Sequence, residues 1–155
     1  MTMTLLLVFL IGFFAGLRSL TAPAAVAWAA HLGWIELDHP LSLMGSVPAV
    51  AVFTLLAAAE LIADKLPGIP SRTSPLGLGA RIVTGALTGA CVAAAGGQPL
   101  LLGALLGAAG GVVGCFAGYH ARTRLVKELG TRDIYIALLE DFVAIAGCLW
   151  IVSRF

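Results

Sequence analysis

Glu140 and Asp141 stand inside the apolar run 134–152, a stretch otherwise long and oily enough to cross a bilayer. An ionised carboxylate in hydrocarbon costs about 2.5–3.5 kcal/mol on insertion scales, so a chain that keeps two there uses them or pairs them. A second acidic pair, Glu60 and Asp64, is spaced four apart and therefore shares one helix face just ahead of Pro67. Arg81 opens the next apolar run from the same side. At 1.5 Å per residue, Glu60 and Glu140 both lie about 10 Å inside that end of their helices. Glu60, Asp64, Arg81, Glu140 and Asp141 can thus form one intramembrane cluster. Adjacent helical residues diverge by about 100°, so Glu140 and Asp141 must face different neighbours. The cluster is either a salt-bridge network that fixes helix order or a site binding a cation or a proton through desolvated, mutually repelling carboxylates.

Other polar residues extend the set. Arg18 closes the first apolar run beside Ser19 and Thr21; it either snorkels to the interface or turns inward to hold an anion. Lys65 follows Asp64 directly, and His120 holds in the fourth apolar run the place that Arg18 holds in the first. Cys91, Cys115 and Cys148 lie in apolar runs without metal-ligand spacing and read as small buried hydrophobes. No Ser-His-Asp set or Cys-His pair is visible, so the sequence points to no catalytic residue, no cofactor and no metal.

Composition sets the solvent in which these groups act. With 60% hydrophobic and only 11% charged residues, and a mean hydropathy of +1.03, the chain cannot cover a water-facing surface. Soluble domains carry roughly 25% charged residues. A net charge of +1, with no basic patch, excludes nucleic acid as a partner. The partner is the lipid bilayer. At about 20 residues per crossing, 155 residues make one domain of at most five or six spans.

Five apolar segments emerge, at 4–21, 47–66, 78–96, 100–120 and 134–153, giving an all-α, polytopic transmembrane bundle. Residues 23–31 are expected to form a short interfacial or re-entrant helix, with Thr21 as N-cap and Pro23 in the first turn. The connections after the first and third segments hold Glu36 and Asp38 but no Lys or Arg. Those after the second and fourth hold Lys65, Arg72 and Arg81, then Arg122, Arg124, Lys127 and Arg132. The positive-inside rule makes the basic connections cytoplasmic and, with five spans, puts the N-terminus inside and the C-terminus outside a bacterial inner membrane. Ala27-Trp28-Ala29 has the look of a signal-peptide cleavage site, but no basic residue precedes the first run and Arg18 interrupts it, so the segment is expected to stay.

Two patterns bear on assembly. Residues 12–21 align with 114–123 at Gly, Phe, Ala, Gly and Thr; spans one and four of a five-span bundle cross in opposite directions, so an ancestral match makes this an inverted-topology repeat. Glycines spaced four apart, Gly12/Gly16, Gly85/Gly89, Gly103/Gly107/Gly111 and Gly110/Gly114/Gly118, allow close helix approach and make span four the central helix. The same faces suit contact between subunits of a homo-oligomer.

Three stretches also carry a resemblance: 16–23 around Arg18, 60–67 around Glu60, Asp64 and Lys65, and 139–144 around Glu140 and Asp141. In their order and spacing the chain resembles a bacterial integral membrane family catalogued as a domain of unknown function, number four-one-two-six. The resemblance implies a multi-spanning helical fold and marks those polar positions, and it implies no activity, cofactor or substrate. The functional expectation is therefore a small transporter or channel, moving a small solute or ion past the carboxylate and arginine cluster. The alternatives are a structural or accessory membrane protein whose charges lock its helices, and a lipid-modifying enzyme using the same acids.

Overall fold

The computed structural model describes residues 2–65, 73–130 and 132–155. Among them are six α-helices: α1 (Thr2–Leu17), α2 (Thr21–His31), α3 (Val47–Ala63), α4 (Pro75–Ala95), α5 (Leu100–Leu129) and α6 (Asp133–Val152). A 3-10 turn, Leu41–Gly45, leads into α3. α4, α5 and α6 are long and apolar enough to cross a membrane, and α1 and α3 are shorter apolar helices. Large side chains such as Leu55, Leu76, Val83, Leu101 and Phe142 are exposed around the bundle, the surface that lipid rather than water would cover.

Local chemistry sets the boundaries. The Ser46 hydroxyl accepts from Ala49 N at 3.3 Å with Pro48 in the first turn of α3, and the Ser74 hydroxyl accepts from Gly77 N at 3.2 Å ahead of Pro75. α5 ends at Gly130, whose φ of 57° is left-handed. The helix runs further than expected: Arg122, Arg124 and Lys127 belong to α5 itself rather than to the connection after it. Leu66 and Arg72, assigned to the second span and its basic connection, lie outside the described residues.

The glycine pattern is realised, but inside one chain. Gly12 abuts the backbone of Gly107, Gly16 that of Gly111 and Cys115, Gly85 that of Gly107, and Gly89 that of Gly103 and Gly107, while Gly110 and Gly114 meet the backbone of Phe9 and Phe13. Gly118 is buried farther along α5. α5 is accordingly wedged between α1 and α4. These faces are filled by neighbouring helices of the same protomer, so they do not supply the subunit contact expected of them.

Register along these contacts corrects the topology. The pairings Gly12 with Gly107 and Gly16 with Gly111 advance together, so α1 and α5 run parallel. The matching segments 12–21 and 114–123 therefore sit on parallel helices and do not form an inverted repeat. Thr4 and Phe155 both pack at Gly96, which puts the start of α1, the α4–α5 connection and the chain's last residue at one end of the bundle. Gly33 and Trp34 share a cleft with Val152, Ser153 and Phe155, so α2 has returned to that end. α1 and α2 are thus a hairpin, and the termini lie at the same end, not at opposite ends as a five-span count demands. Residues 21–31 are too short for a lone span. However, α2 is buried within the bundle, with Ala22, Val26, Ala27 and Ala29 in the core, and a helix covered by protein need not match the bilayer's thickness.

Replacing Gly107 by Leu is expected to abolish the α1–α4–α5 packing, because even a Cβ there would overlap the Gly85 backbone. Gly107→Ala should cost about 1–3 kcal/mol of stability. Gly79→Ala, where a Cβ meets nothing within 4 Å, should be neutral or slightly stabilising. Thermal unfolding of the three variants in detergent checks this.

Candidate functional site: an ion-pair network at a helix break

Between α1 and α2 the helical hydrogen-bond pattern is interrupted at residues 18–20. The start of α2 exposes amide groups that need acceptors, and its N-cap residue Leu20 has no side chain to offer one. Glu60, near the end of α3, fills that role. Its carboxylate accepts from Ser19 N and Leu20 N, each at 2.8 Å, and from the Ser19 hydroxyl at 2.6 Å. A negative charge at a helix N-terminus is electrostatically favoured, so Glu60 both caps α2 and pins α3 to the break. Thr21, the expected N-cap, is instead the first helical residue; Pro23, lacking an N–H, fits the first turn as expected.

Arg18 is fully buried at this break. Its guanidinium pairs with Asp64, at the end of α3, and with Asp141 of α6, the latter at 2.6 Å. Asp141 in turn receives Lys65 Nζ at 2.6 Å, and Lys65 also donates to the Leu61 carbonyl at 2.6 Å. Arg81 of α4 donates through Nε to the Gly16 carbonyl at 3.0 Å and through Nη1 to the Gly77 carbonyl at 2.9 Å, with Glu60 3.9 Å away. Gly16 has left its carbonyl without a helical partner because α1 stops at Leu17; Arg81 supplies the donor.

The expected cluster thus assembles, with two changes. Arg18 joins it: five spans with the N-terminus inside would put the end of the first span on the opposite side of the membrane from Asp64, whereas the α1–α2 hairpin places the end of α1 level with Asp64. Glu140 leaves it. Asp141 faces Arg18 while Glu140, about 100° round α6, faces α5 and lies 3.7 Å from Arg122. Arg122 also forms a two-pronged pair with Asp133, at 2.8 and 2.5 Å. Arg122 was assigned to a connection and its role missed. A signal was present, since Arg122 and Glu140 are equidistant from residue 131 and therefore face each other across a tight α5–α6 hairpin. Ser19 enters the site as a donor to Glu60. His120 is exposed, its ring edge-on to Tyr119 at 5.4 Å. No group of three or more His, Cys, Asp or Glu residues suited to a metal occurs among the described residues.

Fold and site together define a class: a polytopic α-helical membrane protein built on a buried ion-pair network around an interrupted helix. The family model described as a domain of unknown function (DUF4126) matches residues 5–153, and the chain belongs to that family. Comparison with curated proteins and with solved structures gives no match.

Removing the Arg18 charge would leave Asp64 and Asp141 facing each other in a buried site. Arg18→Met is expected to cost about 3–5 kcal/mol, the usual penalty for orphaning a buried charge. Adding Asp64→Leu should recover part of that loss, because Asp141 keeps Lys65 as its cation whereas Asp64 is matched here by Arg18. Unfolding of the single and double variants in detergent measures the coupling.

Proposed function

We propose that the protein is a small transporter or channel of the bacterial inner membrane, and that the network around Arg18 is the gate through which a small solute or ion passes. The observation that carries this reading is the buried pairing of Arg18, in the α1–α2 break, with carboxylates from two other helices. Interrupted helices frame the substrate sites of many transporters, and buried ion pairs add little net stability, which suits a lock that must open. α3 packs mainly on α2 and is otherwise tied down by Glu60, Asp64 and Lys65, so loosening those groups frees it to move. A purely structural lock is the competing reading, favoured by the matching of each described carboxylate in the network with a cation or donor groups.

The orientation follows from charge. Arg18, Lys65, Arg81, Arg122, Arg124, Lys127 and Arg132 belong to the end of the bundle away from the termini, and Arg154 to the terminal end. By the positive-inside rule the network faces the cytoplasm and both termini lie outside.

Two measurements bear on these proposals. Asp141→Asn, nearly the same shape, should keep the protein folded in detergent yet change proton or cation flux at least tenfold in liposomes loaded with a pH-sensitive dye. A large loss of thermal stability with no flux in either protein would favour the structural lock. In a chain with Cys91, Cys115 and Cys148 replaced by Ala, a single cysteine placed by Thr2→Cys or Ser153→Cys should react with an impermeant maleimide added to intact cells, whereas Lys127→Cys should react only after lysis.

A further inference from the structure

The two halves of α3 are held by different forces. In the half nearest the termini Val50 is buried, and Trp28 Nε1 donates to the Thr54 hydroxyl at 3.0 Å, which in turn donates to the Val50 carbonyl at 2.6 Å. Just ahead of the helix, His31 Nδ1 donates to the Gly45 carbonyl at 2.9 Å and Met44 is buried. Gly45 packs so closely on Ala30 that a Cβ would meet its backbone at 3.0 Å. These contacts tie the first half of α3 to α2 without any ion pair.

Beyond Thr54 the pattern changes. The one buried side chain of α3 there, among the described residues, is Ala57, a single methyl, while Leu55, Leu56 and Ile62 are exposed. On the other flank a cleft of about 270 Å³ parts Ala57, Ala58 and Leu61 from Ile145 and Leu149 of α6. A methyl removes little area from solvent and cannot fix a helix by itself. This half is held by charge instead: Asp64 on Arg18, Lys65 on Asp141, and Glu60 on the amides of Ser19 and Leu20. Segments with few buried apolar contacts open at the lowest cost, and desolvation offsets most of what a buried ion pair gains. Thr54 suits a bend between the halves, because a threonine hydroxyl bonded back to the carbonyl four residues earlier tends to bend its helix.

We infer that residues 55–65 form a hinged arm, which turns about the Thr54–Trp28 contact and is latched over the α1–α2 break by Asp64 on Arg18 and Lys65 on Asp141. Opening the latch withdraws Glu60 as well, because one helix end carries all three groups. The Ser19 and Leu20 amides then lose their acceptor, and water reaches Arg18. The arm rests on the reading of the network as a lock that opens, but needs no solute to pass.

The test uses the full chain with Cys91, Cys115 and Cys148 replaced by Ala, spin-labelled at pairs of exposed positions in liposomes. Ile62→Cys with Val83→Cys reports the arm against α4, and Val47→Cys with Leu101→Cys reports the fixed half against α5. Asp64→Asn and Lys65→Gln are then added together, which removes one anion and one cation and leaves Arg18 matched by Asp141. Pulsed dipolar spectroscopy should show the first pair gaining a second, longer distance while the second pair keeps a single one. Hydrogen exchange at the Ser19 and Leu20 amides should quicken about tenfold, with the amides of α1 unchanged. An unchanged first pair would overturn the arm, because packing alone then holds α3; equal displacement of both pairs would do so too, because no hinge then exists. Should the double variant fail to fold, Lys65→Gln alone leaves Arg18 with both carboxylates and carries the same expectation and the same refutations. An arm that opens in a protein passing neither protons nor cations upholds this device and counts against transport alone.

Discussion

A guanidinium that water cannot reach has to be matched by anions, and Arg18 is matched by two that come from different helices. That requirement fixes the end of α3 and the middle of α6 against the turn between α1 and α2. Glu60 adds a second constraint at the same place, because the Ser19 and Leu20 amides in the break ahead of α2 have it as their acceptor. Without these groups, α2 would be a short apolar helix starting inside the bundle with unpaired backbone donors, a state that costs several kcal/mol per group away from water. The polar network is what permits the hairpin, and the hairpin is what brings both termini to one end.

The bundle divides by how its helices are held. α1, α4 and α5 meet through glycines at backbone distance, where dispersion and close packing act without any need for polar contact. α3 and α6 lack such glycine ridges on the facing sides. α3 is attached through α2 and through Glu60, Asp64 and Lys65; α6 through α2, through Asp141 and Glu140, and through Gly147 against the Phe14 ring. One part of the protein is thus joined by glycines at backbone distance, while the other combines apolar burial, with Ala144, Cys148, Ile151 and Val152 of α6 fully buried, with ion pairs. Shape-fitted contacts give way all at once, whereas ion pairs respond to protonation and to competing charges.

Much of this was legible beforehand. Apolar runs gave all six helices, the short one at 23–31 among them, glycine spacing gave the central place of α5, and depth along the helices brought Glu60, Asp64, Arg81 and Asp141 together. What failed was the direction of crossing. Residues 21–31 hold 11 residues, below the length by which a span is recognised, and hydropathy cannot tell a short helix buried in protein from one lying at an interface. That single miss misplaced Arg18, turned two parallel helices into supposed antiparallel mates and set the termini apart. The divergence of Glu140 from Asp141 was foreseen from helical geometry, but its partner was not. Arg122 looked like loop charge because the apolar run stops before it, although α5 goes on to Leu129.

The charge pattern makes sense once the hairpin is in place. Loop charge led the five-span reading to a cytoplasmic N-terminus, yet the same basic residues lie together at one end when six helices alternate. Asp133, Glu140, Asp141, Glu60 and Asp64 accumulate there as well, so the basic end is neutralised locally instead of presenting a bare cationic surface. Its innermost groups face each other. Because each inner pair joins two different helices, no displacement of α3 or α6 relative to the glycine-packed trio can occur without exchanging at least one partner of Arg18. The bonds that hold α3 and α6 in place are therefore few, and they converge on Arg18.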